Sequence, residues 1–228
     1  MQFLGQSYRT YALDFWGFGE SGKKRNTYQV TDFVSLVDQF MEKLGIARAP
    51  LVGHSMGGTV SLSVALQYPD RVSKVTIIGS PVIGSSLALP LKLAGFRPIA
   101  WLLFTMFPTF RRAMRIASPH ICSDPRFPDM MDRDLSKTTL ESFLVSIASL
   151  RKTDLSPSIH QICVPTLGMF GDKDNIVDPN QWKALEQGLP GARIERFDRA
   201  GHFIMLDEPQ LFMQKLKDFL DTPEEPLL

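Results

Sequence analysis

The chain has 228 residues, 44% of them hydrophobic and 21% charged, which predicts one globular domain with a sizeable core and room for an inserted subdomain. Its 25 basic and 24 acidic residues leave a net charge of +1, so the charge balance gives no reason to expect nucleic acid or an anionic surface as a partner. The two cysteines lack metal-ligand spacing and the N-terminal residues lack the pattern of a signal peptide, so we expect a cytoplasmic protein with no bound metal.

One apolar stretch, Leu87 to Phe110, is long enough to raise the question of a membrane-spanning helix. Prolines and two basic residues interrupt it, and its longest clean run, residues 99–107, is about half of the roughly 20 apolar residues that a span requires. We therefore predict no transmembrane segment. Short helices with apolar faces are the preferred interpretation, and a lid that touches lipid is left open.

The predicted elements alternate between strands and helices along the chain. Apolar residues at helical spacing mark the helices, and short runs of β-branched or apolar residues mark the strands. In chain order we predict a short buried strand at 10–13, a helix at 30–44, a strand at 49–53, a helix at 56–68, strands at 72–78, 164–170 and 193–197, and a helix at 211–220. This alternation predicts an α/β fold with a mainly parallel sheet flanked by helices.

The segment between the strands that end at Ile78 and begin at Val164 is roughly a third of the chain and contains no predicted strand. A structureless loop of that length is abnormal in a compact domain, so a helical insertion is expected. We predict a core of residues 1–82 and 159–228 and a helical cap of residues 83–158.

The sequence Gly53-His54-Ser55-Met56-Gly57 fits the pattern G-x-S-x-G. A predicted strand leads into it and a predicted helix leads out of it, as the tight turn of a nucleophilic serine requires. The glycines allow a strained serine backbone and the close approach of its neighbours. The alternative interpretation is a serine that caps a helix after a glycine-rich turn.

Candidates for a base and an acid follow the last two predicted strands. Of the four histidines, His202 lies in a loop after the strand at 193–197, at the edge where open parallel sheets place their chemistry. His54 adjoins the serine, but its side chain is expected to point away from that of the serine. Three aspartates after the strand at 164–170 are candidate acids, and a polar turn is the alternative interpretation for all of them: Asp172, Asp174 and Asp178.

These motifs together resemble those of α/β-hydrolases with a helical cap. "DFWGFGES" is similar to the D-x-x-G-x-G-x-S turn of that family, "GHSMGG" to its nucleophile elbow, "GDKDNIV" to its acid loop and "AGHF" to its histidine loop. The resemblance implies a triad of Ser55, Asp174 and His202 and one oxyanion bond from the Met56 N–H. In the first motif it implies structural turn residues rather than catalytic ones: Asp14, Gly17, Gly19 and Ser21.

The chain departs from that family at its front, so an N-terminally abbreviated α/β-hydrolase fold is expected. No H-G pair precedes Asp14, which leaves the second oxyanion donor unassigned. The family's strand between those at 10–13 and 49–53 has no counterpart here either. Either the sequence begins late, or these two strands pair directly or leave an exposed edge that a second copy covers, which would give a homodimer with weak esterase activity.

The predicted function is that of a serine esterase that cleaves small to medium carboxylic esters through an acyl-enzyme, without a cofactor. The apolar acyl group of a small-molecule substrate is expected to bind under the cap. The residues predicted to contact it are His54, Trp101, Phe104 and Met106, with Leu87, Leu91 and Leu102 on the same apolar face. The alternatives are a lactonase, a carbon–carbon hydrolase or a cofactor-free perhydrolase with the same triad, a catalytically weak member that binds a ligand, and a truncated form that depends on a partner.

Overall fold

A computed structural model describes residues 3–23, 27–88 and 107–223 of the chain. At its centre is a four-stranded sheet of β1 (Ala49–His54), β2 (Val72–Ile78), β3 (Thr166–Gly171) and β4 (Arg193–Phe197). The strand order is β1-β2-β3-β4, and every neighbouring pair is parallel. All strands therefore end at the same edge of the sheet, where the loops after β1, β3 and β4 lie.

Helices cover both faces of the sheet. In chain order the described helices, including those of the insertion, are α1 (Val30–Lys43), α2 (Met56–Gln67), α3 (Phe107–Ala117), α4 (Phe127–Ser136), α5 (Leu140–Lys152), α6 (Gln181–Gly188), α7 (Ile204–Asp207) and α8 (Pro209–Asp221). Successive residues of a strand point to opposite faces. Ile77 accordingly packs in one core cluster with α1, α2, α5 and α6, while Ile78 packs in another with α7 and α8. The predicted α/β fold with a mainly parallel sheet is confirmed.

The short buried strand predicted at 10–13 is wrong, whereas the other predicted elements lie within about two residues of their observed bounds, the usual precision of element ends. Residues 10–13 form no strand, and Tyr11 is 44% exposed. Its ring packs edge-on against Phe40 of α1 with centroids 5.8 Å apart, and Phe15 stacks on Phe33 at 4.6 Å. A strand needs a hydrogen-bonded neighbour, and aromatic contacts with α1 hold this segment instead.

Strand β1 lies at an edge of the sheet. Within residues 3–23, 27–88 and 107–223, β2 is its only hydrogen-bonded neighbour, and Val52 in the middle of β1 is 43% exposed. Of the two arrangements expected for the front of the chain, the exposed edge is the one observed. Coverage of that edge by a second copy stays a prediction.

The described part of the insertion, up to residue 158, contains α3, α4 and α5 and no strand, as predicted. Its two ends lie side by side, since the Gly84 N–H donates to the Thr153 carbonyl at 2.7 Å and the Leu155 N–H to the Val82 carbonyl at 3.0 Å. The division into a core of 1–82 and 159–228 and a cap of 83–158 stays a prediction. In the described ranges no helix has the length and apolar character needed to cross a bilayer.

Candidate active site

Ser55 lies in the sharp turn between β1 and α2. Its backbone has φ 53° and ψ −122°, and in the described part of the chain it is the one non-glycine residue with a positive φ. Such a conformation costs roughly 1–3 kcal/mol and persists only where the surrounding structure imposes it. One such constraint is the hydrogen bond from the Ser55 N–H to the Ile78 carbonyl at 2.8 Å, which ties the turn to the end of β2.

Two glycines make this turn sterically possible. A Cβ at Gly53 would lie 2.2 Å from the backbone of Gly57, and a Cβ at Gly58 would lie 2.0 Å from Ser80 Oγ. Gly57 itself has open space where a Cβ would be. The first glycine of the G-x-S-x-G pattern is therefore required by close contact between the strand end and the helix start, whereas the second is not.

The hydroxyl of Ser55 does not cap α2. Ser55 occupies the position before the first helical residue, yet its side chain makes no capping hydrogen bond. The alternative interpretation of Ser55 as a helix cap is therefore not supported. The Met56 N–H follows at the first position of α2, where a backbone N–H has no acceptor within its own helix, and this placement suits it to an oxyanion.

A hydrogen bond joins Asp174 and His202 at the carboxyl edge of the sheet. Asp174 lies in the loop after β3 and His202 in the loop after β4, and His202 Nδ1 is 2.8 Å from Asp174 Oδ2. Both side chains are almost fully buried, with 3% and 4% of their surfaces exposed. The other carboxylate oxygen, Oδ1, accepts the N–H groups of Ile176 at 2.8 Å and Val177 at 2.9 Å. The loop thus holds the carboxylate in the position that meets the imidazole.

The three aspartates of this loop have different partners. Asp172 forms an ion pair with Arg196, in which Oδ2 is 2.8 Å from Nη2. Asp178 Oδ1 accepts the N–H of Asn180 at 2.9 Å, as in an ordinary turn. Of the three, Asp174 is the one that contacts His202.

His54 packs against the loop that carries His202. Its Nε2 is 2.9 Å from the His202 carbonyl oxygen, and the centroids of the two imidazole rings are 4.6 Å apart. Burial and, second, the neighbouring His202 lower the pKa of His54 to about 3, so its imidazole is neutral at physiological pH. The contact of His54 with substrate stays a prediction. Among the described residues, no group of three or more His, Cys, Asp or Glu side chains is placed to hold a metal ion.

Most residues predicted to form the apolar face of the cap lie outside the described residues. These are Leu91, Trp101, Leu102, Phe104 and Met106. Leu87 is described, is 2% exposed, forms a bridge with Val177 and belongs to the same core cluster as α1 and α2. It packs the start of the insertion onto the core, which leaves little of its side chain for a substrate.

Two further residues support the His202 loop, and the sequence motifs do not single them out. A Cβ at Gly79, where φ is +52°, would lie 3.3 Å from both atoms of the hydrogen bond between Asp174 and His202. Asp207 accepts the N–H of Gly201, the residue before His202, at 2.8 Å. Two sequence signals could have indicated these residues. Gly79 comes directly after a buried strand, and Asp207 follows shortly after the candidate base.

The chain matches a protein-family model and is similar to known hydrolases. A family model described as "Serine aminopeptidase, S33" matches residues 1–209. A 2-hydroxy-6-oxononadienedioate/2-hydroxy-6-oxononatrienedioate hydrolase of Paraburkholderia phymatum is 29% identical over 227 residues, covering 96% of this chain and 78% of that protein.

The solved structures that share the fold include an esterase and an enol-lactonase. The esterase EaEST from Exiguobacterium antarcticum has a TM-score of 0.82 at 22% identity and covers 97% of this chain and 84% of its own. The enol-lactonase from Burkholderia xenovorans LB400 has a TM-score of 0.72 at 25% identity, with 92% and 79% covered. The family match spans the sheet, the turn of Ser55 and the loops of Asp174 and His202. This chain is a hydrolase of the α/β-hydrolase fold and belongs to the serine aminopeptidase S33 family.

Proposed function

We propose that this chain is a serine esterase that cleaves small-molecule carboxylic esters through an acyl-enzyme, with Ser55 as nucleophile, His202 as base and Asp174 as the acid that orients the base. The observation that carries the proposal is the 2.8 Å hydrogen bond between His202 Nδ1 and Asp174 Oδ2 at the same sheet edge as the strained turn of Ser55. Three loops, distant in sequence, would thus supply the groups of a triad at the edge where parallel sheets place their chemistry.

The bond to Asp174 determines which nitrogen of His202 acts as the base. A carboxylate only accepts, so the proton lies on Nδ1 and the lone pair on Nε2. Nε2 would take the proton of the Ser55 hydroxyl as the oxygen attacks the ester carbonyl, and Asp174 would stabilise the resulting imidazolium. The tetrahedral intermediate then collapses: the bond to the alcohol oxygen breaks, and Nε2 gives its proton to that oxygen.

Water completes the reaction by the same route. Nε2 takes a proton from water as its oxygen adds to the acyl carbonyl, and Ser55 leaves with that proton. In both intermediates the negative oxygen would accept a hydrogen bond from the Met56 N–H at the start of α2, where the helix dipole also favours negative charge. One such donor contributes roughly 10²–10³ in rate.

The proposal is tested with p-nitrophenyl acetate and p-nitrophenyl octanoate. The wild-type chain should release a burst of p-nitrophenol followed by steady turnover, and Ser55→Ala should abolish both. Faster turnover of the octanoate would support an apolar acyl pocket. Full activity in Ser55→Ala would contradict the assignment of the nucleophile.

The choice of acid is tested by a matched pair of variants. Asp174→Asn should lower kcat by roughly 10²–10⁴, because the imidazole would lose the acceptor that fixes its tautomer. Asp172→Asn is the control, since Asp172 pairs with Arg196 and does not contact His202, and its kcat should stay at the wild-type value. A larger loss in Asp172→Asn than in Asp174→Asn would reject the assignment of the acid.

A carbon–carbon hydrolase is the second candidate, favoured by the 29% identity to the 2-hydroxy-6-oxononadienedioate hydrolase. The same three side chains would serve, because the attacked atom is again a carbonyl carbon. Loss of the ultraviolet absorbance of 2-hydroxy-6-oxononadienedioate measures this activity directly. A kcat/KM for this compound above that for the esters would replace the esterase proposal, and thermal stabilisation without turnover of any of them would indicate a ligand-binding protein.

A further inference from the structure

His54 connects the candidate nucleophile to the candidate base. It is the last residue of β1 and the direct chain neighbour of Ser55. Its Nε2 lies 2.9 Å from the backbone carbonyl oxygen of His202, a residue 148 positions later in the chain. Because a carbonyl oxygen only accepts, Nε2 of His54 carries the proton and donates it. A peptide unit and a hydrogen bond therefore join Ser55 to His202.

The surroundings of His54 fix its ring and keep it neutral. Its centroid is 4.6 Å from that of the His202 ring and 5.1 Å from that of Phe203. Phe203 in turn lies 4.5 Å from the ring of Phe127, so these rings form a row that reaches α4 of the insertion. The ionisable groups that act on His54 are His202 and Asp174, but burial has the larger effect and holds its pKa at about 3. At neutral pH His54 is an uncharged donor with one tautomer.

We infer that His54 is a positioning residue whose hydrogen bond to the His202 carbonyl sets the distance between the base and Ser55. The inference rests on the proposed function, in which His202 takes a proton from Ser55. Asp174 orients the imidazole through a hydrogen bond to Nδ1, and this bond holds the ring of His202 and not its backbone. The backbone needs its own anchor because His202 lies in a loop, and loops are more mobile than the strands they follow.

An anchor on β1 has a specific advantage for the chemistry. The strand that ends in His54 also carries Ser55, so any movement of β1 shifts the nucleophile and the base together. A displacement of about 1 Å between reacting groups can cost roughly 10²-fold in rate. The hydrogen bond of His54 therefore acts on the rate of the chemical step and not on the affinity for substrate.

Three variants separate the hydrogen bond of His54 from its packing. In His54→Gln the side-chain amide nitrogen extends about as far as Nε2 and can donate to the same carbonyl; in His54→Asn the amide is too short; in His54→Leu an apolar side chain fills the site without a donor. We expect kcat to fall roughly tenfold to a hundredfold in the Asn and Leu variants and less than about threefold in the Gln variant. KM should stay near the wild-type value in all three.

The test is made on a wild-type chain whose esterase activity depends on Ser55. Equal kcat values in the Gln and Asn variants would overturn the inference, and this pair decides it even if the Leu variant does not fold. A raised KM with unchanged kcat would also overturn it and would assign His54 to substrate binding. An inactive wild-type chain would instead contradict the proposed function.

A second measurement does not require activity. The downfield proton NMR signal of His202 Nδ1–H reports the geometry of the bond to Asp174. It should keep its wild-type position in His54→Gln and move or broaden in His54→Asn. An unchanged signal in both variants would show that His54 does not position the base.

Discussion

The turn of Ser55 and the loop of His202 lie at the same edge of the sheet, but different interactions hold them. The turn depends on missing side chains, because Gly53 allows the end of β1 to touch the start of α2 and Gly58 allows α2 to approach Ser80 after β2. The loop depends on polar side chains that bind its ring or its backbone: Asp174, His54 and Asp207. Substitutions in the turn should therefore act through steric overlap and disrupt folding, whereas substitutions around the loop should act through lost hydrogen bonds.

The largest effect is expected at the first glycine of the turn. In Gly53→Ala the new Cβ would lie 2.2 Å from the backbone of Gly57, an overlap that only movement of β1 or α2 could relieve. We expect a loss of roughly 2–4 kcal/mol in the free energy of unfolding, together with loss of activity. Gly57→Ala is the matched control, since its Cβ meets open space and alanine favours a helix, and its stability should match or exceed that of the wild type. Equal urea midpoints for the two variants would contradict the steric account.

Gly79 provides an intermediate case, because it adjoins the loop but acts through its missing side chain. Alanine there would bring a Cβ to 3.3 Å from Asp174 Oδ2, His202 Nδ1 and the His202 carbonyl oxygen, at a φ of +52°. We expect Gly79→Ala to lower kcat by about tenfold or more as the pair is displaced. Gly45→Ala is the control: φ is +66° there and a Cβ would meet nothing within 4 Å, so it shares the backbone strain without the crowding. A similar kcat in both variants would show that crowding at Gly79 does not matter.

Local sequence predicts some parts of the fold and of the site but not others. The strands at 72–78 and 193–197 have the predicted bounds, because the residue pattern that marks each strand is local. The prediction of a strand at 10–13 is wrong because a strand also requires a hydrogen-bonded neighbouring strand, which local sequence does not specify.

Within the site, features that nearby residues fix are predictable from sequence, whereas features that depend on contacts between distant residues are not. Glycine spacing indicates the turn of Ser55, because the close contact between Gly53 and Gly57 lies within the motif itself. The bond from His54 to His202 spans 148 residues, and no pattern in either segment indicates it. Residue types alone likewise do not rank Asp172, Asp174 and Asp178; the direction of each side chain within the loop does.

The smallest effect concerns Asp207, whose contribution to stability should depend on pH. Its carboxylate accepts the Gly201 N–H at 2.8 Å and the Ser123 hydroxyl at 2.8 Å, so it ties the His202 loop to the insertion. Burial raises the pKa of Asp207, but these hydrogen bonds outweigh it and the net shift is downward. A pKa that is lower in the folded than in the unfolded state stabilises the fold above the unfolded value, about 4, and this stabilisation is lost as the pH falls through the folded value.

Asp207→Asn removes the charge with little change in shape and should reduce the free energy of unfolding by about 1–2 kcal/mol at neutral pH. Because the wild type loses the same contribution in acid, the difference between the two chains should shrink below about pH 4, as measured by urea unfolding across the pH range. Asp172→Asn is the control, since an exposed pair such as that with Arg196 contributes only about 0–1 kcal/mol. A difference between Asp207→Asn and the wild type that stays constant from neutral to acid pH would mean that the charge of Asp207 does not hold the loop and that its packing alone does.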